Sequence, residues 1–258
     1  MEPEWNITCN RFVAFFDMMG YKDIFMKNGH NYVLKLITDI KNAKQTIIDG
    51  TREGLEMNTG LKSFQFSDSF FIFSKSESAQ DALNLFHQSR ILLAFCNQIN
   101  VPIKGAISFG WVTVDFANSI FVGQPIIDAC QLYEELEMFG AILDSNAETK
   151  IKEFEVDEIY KNELKHQLVQ YGVPTKNGNI DYYCLHWPLI ITTMNSTSPN
   201  ISVHGLNKFD RFKTEKFYLS VPDKAKRYVD NTIDFIDFLI ERAKQEHPDF
   251  KEYVFNKT

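Results

Sequence analysis

Two aspartates stand where an aspartate is costly. Asp17 interrupts the run Arg11 to Tyr21, RFVAFFDMMGY, and Asp68 lies inside Lys62 to Lys75, KSFQFSDSFFIFSK; both runs are otherwise rich in aromatic and aliphatic residues and read as buried strands. A carboxylate in such surroundings is unfavourable unless something cationic meets it. Two aspartates at the ends of neighbouring strands could share two divalent cations, Mg²⁺ or Mn²⁺, and ions held in that way would in turn bind a nucleoside triphosphate. Gly20, three residues after the first aspartate, leaves the backbone N–H groups around it free to approach phosphate oxygens. Taken singly, either aspartate is more simply a helix cap or a surface turn; the argument rests on the pair.

The surrounding chain must bring the two together. Arg11 to Phe16 reads as a strand ending in a turn at Asp17 to Gly20. His30 to Asp49 spaces Val33, Leu34, Ile37, Ile40 and Ala43 at intervals of three and four, which predicts a helix, with a loop over residues 50–60. Leu61 to Ser67 and Phe70 to Ser74 form a tight hairpin with Asp68 in its turn. Ser76 or Ser78 caps a helix running to about Ile99, followed by a long strand over Ile103 to Asp115, kinked near Gly105 and Gly110, and a return through Ser119 to Val122. Pro125 opens a helix reaching about Met138, and Gly140 to Leu143 is a short strand. This order fits an α+β fold, a mostly antiparallel sheet with helices on one face.

Past residue 144 the texture changes. A charged segment, Glu148 to Gln170, leads through glycine turns to strand-like residues 182–187, then a polar, mobile stretch at 195–200 and a closing helix over Pro222 to Gln245. The expected division is a core at 1–145 and a C-terminal subdomain or extension at 146–258.

The 258 residues carry a net charge of −7, which argues against a nucleic-acid partner or an anionic membrane surface, both of which need clustered Lys and Arg. Four scattered cysteines without a C-x-x-C pair read as reduced core thiols, and no apolar run approaches a membrane span; the expectation is a cytoplasmic protein. The six histidines show no metal-ligand spacing, and no Walker or G-x-S-x-G motif is present.

Residues 10–145 resemble the catalytic domain of class III nucleotidyl cyclases. The family's F-x-D-x-x-G-[FY] motif is matched by Phe15-Phe16-Asp17-Met18-Met19-Gly20-Tyr21, and its second metal aspartate, in a hairpin followed by apolar residues, by Ser67-Asp68-Ser69-Phe70-Phe71. Ile107 to Gly110 resembles the family's I-x-x-G strand, and Gly123 to Gln131 its G-x-x-V-N-x-A-x-R helix start. The resemblance implies a ferredoxin-like, palm-type βαββαβ core. It also implies two cations on Asp17, Asp68 and the Met18 carbonyl, triphosphate binding by the N–H groups of Met19, Gly20 and Tyr21, and a head-to-tail homodimer with its sites at the interface.

The departures are informative. Where adenylyl cyclases read adenine, this chain has Phe64, four residues before Asp68, and Ile120, three before Gly123. Neither side chain can hydrogen-bond a purine edge. In this the chain is similar to the stand-alone pyrimidine cyclases of bacterial Pycsar antiphage defence, which also tend toward a basic residue before G-A-I, here Lys104-Gly105-Ala106-Ile107. That similarity implies conversion of UTP or CTP to the 3′,5′-cyclic monophosphate. Gln65, Ser67 and Ser108 are the nearby polar groups that could read the ring. The family's transition-state asparagine and arginine fall on Ile127 and Gln131; Gln131 can donate a hydrogen bond but not neutralise charge, a task for which Lys104 or a partner residue is the candidate. A purine cyclase with unusual base recognition, and a degenerate cyclase fold that binds nucleotide without turnover, are the alternatives.

Overall fold

A computed structural model describes residues 5–52, 60–99, 101–188 and 223–246. The described residues form eight strands and six helices. The first elements are β1 (Thr8–Met18), α1 (Tyr21–Arg52), β2 (Lys62–Phe66), β3 (Ser69–Phe73), α2 (Ala79–Gln98) and β4 (Ile103–Asp115). These run in the order βαββαβ, and their strands lie side by side as β2-β3-β1-β4 with every pair antiparallel. β5 (Ile120–Gly123) returns along β4, α3 (Gln124–Glu135) follows, and β6 (Gly140–Leu143) joins the far edge of β4 as the sheet's one parallel pairing among the described strands.

The alternation of β1 divides the core. Phe12, Ala14, Phe16 and Met18 join the large cluster that includes α2, where Phe12 meets Phe86 edge-on at 5.6 Å. Val13, Phe15 and Asp17 point the other way, and there Phe15 meets Tyr133 of α3 at 5.0 Å. Helices therefore flank both faces of the sheet, not one: α2 packs on the Phe12 side and α3 on the Phe15 side. Beside α3, Val13, Phe73, Val112 and Val114 are sealed by Trp5, Phe64, Phe116 and Phe121, with the Trp5 indole donating to the Val114 carbonyl at 3.0 Å.

Other boundaries follow local chemistry. Ser78 is the N-cap of α2, its hydroxyl accepting from the Asp81 N–H at 3.2 Å. α1 starts at Tyr21, earlier than its apolar spacing suggests, and breaks at Gly29, whose φ of +76° only glycine tolerates readily. The helix continues through Arg52, so residues 50–52 are not loop; 53–59 lie outside the described residues.

The charged segment after β6 is helical. α4 (Ser145–Phe154) and α5 (Glu158–Gln167) are capped by Asp144 and Asp157 and lead into the hairpin of β7 (Leu168–Thr175) and β8 (Gly178–Leu185). β8 pairs with β6, so this hairpin extends the same sheet. The closing helix α6 (Asp223–Glu246) buries Val229, Phe235, Ile236 and Leu239. The stretch 195–200 lies outside the described residues. No helix among the described residues is long and apolar enough to cross a membrane.

One buried polar group sets an acid limit on stability. The Nδ1 of His186, just after β8, is buried without a hydrogen-bond partner among the described residues. Burial pulls its imidazole from 6.5 down to about 3, with the Arg90 charge adding to the shift. Below the ordinary imidazole range the unfolded chain takes up a proton that the fold refuses. Stability is therefore full above pH 6.5 and falls as pH drops from there toward 3, by up to about 1.4 kcal/mol per pH unit for one such group. His186→Gln should flatten the decline in denaturant midpoint between pH 7 and pH 5; an unchanged slope would place the acid sensitivity elsewhere.

Candidate active site

β1 delivers Asp17 beside two partners. Ser69 of β3 and Lys104 of β4 are its cross-strand neighbours, so Ser69, Asp17 and Lys104 form a row on one face of the sheet. Asp68 sits one residue before Ser69 in the β2–β3 turn, where Ser67 takes φ +56°. The turn is tied to the end of β1 by the Met18 N–H donating to the Asp68 carbonyl at 3.2 Å. The two sequence-predicted aspartates are thus neighbours at adjoining strand ends.

Asp17 is half-buried, and each of its oxygens accepts one hydrogen bond. Its Oδ1 accepts from the Ser69 hydroxyl at 2.8 Å and its Oδ2 from the Tyr133 hydroxyl at 2.8 Å. Burial pushes its carboxyl above the usual range, the Tyr133 and Ser69 hydrogen bonds pull it back, the Asp68 charge pushes it up again and Lys104 lowers it. Burial and the hydrogen bond to Asp17 push the Tyr133 phenol up. A half-buried carboxylate that is costly to ionise, with a second carboxylate at the adjoining strand end, suits a hard cation, which would take further oxygen ligands from backbone carbonyls, water or phosphate.

The remaining candidates divide. The Met19 N–H donates to the Pro102 carbonyl at 2.9 Å and is already committed, whereas Gly20, at φ +73°, turns the chain so that Tyr21 opens α1 with first-turn N–H groups available to an anion. Lys104 is 4% exposed, and its ammonium donates to the Leu136 carbonyl at 2.9 Å. Burial lowers it to about 8, Lys176 adds to the shift, and Asp17, Glu137 and Glu134 oppose it. Phe64 stacks on Phe121 at 5.0 Å, and Ile120 is exposed at the start of β5.

Gln131 lies on the exposed side of α3, two residues from Tyr133 and so on the opposite side of the helix, in a depression also lined by Asp128, Glu134, Glu135 and Asp144. It does not meet Asp17 of its own chain. Of the polar groups near the ring position, Ser108 is buried and donates to Asp144 at 2.5 Å, and Gln65 donates to the Ser67 carbonyl at 3.3 Å. Tyr133 and Ser69, the two donors to Asp17, carried no signal of that role in the sequence: Tyr133 reads as one apolar-face residue of a helix, and Ser69 as a turn residue.

No protein-family model matches the chain, and no curated protein matches it. Among solved structures, it is similar to the catalytic core of a rhodopsin-guanylyl cyclase with converted specificity in complex with ATPαS, at 11% identity over 68% of this chain and 94% of that one, with a TM-score of 0.46. It is also similar to the non-canonical dimeric guanylyl cyclase domain of the RhoGC fusion protein from the aquatic fungus Blastocladiella emersonii, at 11% identity over 69% and 96% of the two chains, TM-score 0.46. A third likeness is to the adenylyl cyclase CyaB from P. aeruginosa, at 14% identity over 69% and 95%, TM-score 0.43. Similarities of this strength carry none of the functional reading that follows.

Proposed function

We propose that the protein is a pyrimidine nucleotide cyclase, converting UTP or CTP to the 3′,5′-cyclic monophosphate and pyrophosphate, and acting in the cytoplasm as an antiphage signalling enzyme. The observation that carries this reading is the pair of aspartates at adjoining strand ends, in the setting of the Phe15 to Tyr21 and Ser67 to Phe71 motifs. Asp17, Asp68 and the Met18 carbonyl would hold two Mg²⁺ or Mn²⁺ ions. When bound, such ions acidify the ribose 3′-hydroxyl and neutralise the triphosphate. The N–H groups of Gly20 and Tyr21, in the turn that opens α1, would cradle the terminal phosphates. Phe64 and Ile120 offer the base no polar atom, which removes purine readout at those positions. The ammonium of Lys104 is held by Leu136, so charge neutralisation at the α-phosphate falls to the partner subunit of a homodimer with its sites at the interface.

A second reading has one observation in its favour. Gln131 stands among Asp128, Glu134, Glu135 and Asp144, an acidic setting that repels phosphate and fits a cyclase-fold protein that binds nucleotide without turnover. One assay separates the readings: purified protein with Mn²⁺ and each of the four ribonucleotides, scored for pyrophosphate release and cyclic product. UTP or CTP should be turned over at least tenfold faster than ATP or GTP. A purine preference would overturn the specificity, and metal-dependent nucleotide binding without pyrophosphate release would establish the second reading.

A further inference from the structure

Both oxygens of the Asp17 carboxylate accept a hydrogen bond, Oδ1 from Ser69 and Oδ2 from Tyr133, each at 2.8 Å. Each oxygen keeps a second lone pair, so the two donors leave room for a cation while fixing the plane of the group. Without them the terminal torsion of an aspartate is broad and the ligand swings. Ser69 comes from the adjacent strand, but Tyr133 reaches across from α3, 116 residues away in sequence.

Tyr133 is itself held by two contacts. Phe15 meets its ring edge-on at 5.0 Å, and the Lys104 ammonium lies 4.6 Å from the ring centroid. The same ammonium donates to the carbonyl of Leu136, the C-cap of α3, so one buried lysine secures both the ring and the end of its helix. It also lies 5.4 Å from the ring of Tyr228 in α6. α6 in turn grips the loop after α3: Asn231 donates to the Glu137 carbonyl at 2.7 Å, and Thr232 accepts from the Phe139 N–H at 2.8 Å.

Resting on the reading of Asp17 as a cation ligand, we infer that Tyr133 is the positioning residue of that ligand, clamped by Lys104 and braced by α6. Lys104 then acts through Tyr133 and touches no phosphate. Donors to a ligating carboxylate set its orientation, and their loss weakens cation binding about 10- to 100-fold.

Tyr133→Phe keeps the ring, its packing on Phe15 and its contact with Lys104, and deletes only the hydroxyl. Titration with Mn²⁺ alone, followed by electron paramagnetic resonance, should show affinity about tenfold weaker than in the wild type. Turnover should fall at low Mn²⁺ and recover at saturating Mn²⁺, a dependence that a general loss of structure would not produce. Lys104→Met should shift affinity the same way by a smaller factor. Wild-type Mn²⁺ affinity in Tyr133→Phe, with an unchanged Mn²⁺ dependence of turnover, would overturn the positioning role and leave the cation site standing. A wild-type protein that binds no Mn²⁺ would instead overturn the cation site itself, and the positioning role with it.

Discussion

Asp17→Asn is expected to abolish turnover and, in the same molecule, to raise the melting temperature of the cation-free protein at neutral pH. The first effect follows if Asp17 is the cation ligand proposed above, and should be on the order of 10³-fold or more. The second follows from the folded carboxyl being raised by burial. A raised acid favours folding most when neutral, so its contribution is full below the unfolded carboxylate value near 3.8 and is lost as pH rises through the folded value. At neutral pH the ionised group therefore costs stability, and asparagine removes that cost while keeping an acceptor for Tyr133 or Ser69. Each kcal/mol recovered is worth about 2–4 °C in a chain of this size. Cation should reverse the ranking: at a hundred times its Kd each bound ion adds about 2.7 kcal/mol, and the variant binds fewer than the wild type. Melts in EDTA and in Mn²⁺ check both limbs. A variant that melts below the wild type in EDTA, or that gains as much from Mn²⁺, would contradict the account.

Gly105→Ala should be among the most destabilising single-methyl changes in the chain. Gly105 pairs with Phe16 across the central strands, and a Cβ there would stand 2.3 Å from the Phe15 carbonyl oxygen and 2.4 Å from the Phe16 ring. The ring could move, but the carbonyl belongs to the strand that carries Asp17 and has no rotamer to escape into. The expected loss is about 3 kcal/mol or more, and the shift in melting temperature about 6–12 °C. Gly172→Ala in β7 is the control, because its Cβ would meet only the Asp181 carboxylate at an ordinary 3.5 Å. A Gly105→Ala protein within about 1 kcal/mol of the wild type would mean that β1 and β4 pack less closely than described.

The parts of this architecture that are written locally were legible. The β1 run ends at a costly aspartate, the Ser67–Asp68 turn announces its hairpin, one of the two serines offered as a cap, Ser78, caps a helix, and Ile103 to Asp115 is one long strand, in which Gly105 answers to a close approach of β1 and not to the expected kink. What could not be read depends on distance in sequence. Tyr133 meets Asp17 across 116 residues, and a tyrosine on an apolar helical face looks like core packing until the partner is in place. Lys104 reads as a strand-end lysine open to solvent or phosphate, but β6 and α6 close over it, and its charge is spent on Leu136. α4 and α5 were hidden because their charged residues outnumber the apolar positions that dock them, such as Ile151 and Leu164. β7 was hidden for a related reason: at the sheet's edge, part of its sequence faces solvent and shows no run of apolar residues.

The central claim is that Asp17 and Asp68 share the cations that hold the triphosphate. Mn²⁺ titration of the protein saturated with a non-hydrolysable UTP analogue tests it most directly. Two ions per chain in the wild type, with at least one lost in Asp68→Asn and in Asp17→Asn, is the predicted result; an Asp17→Asn, Asp68→Asn double variant that titrates as the wild type does would contradict it.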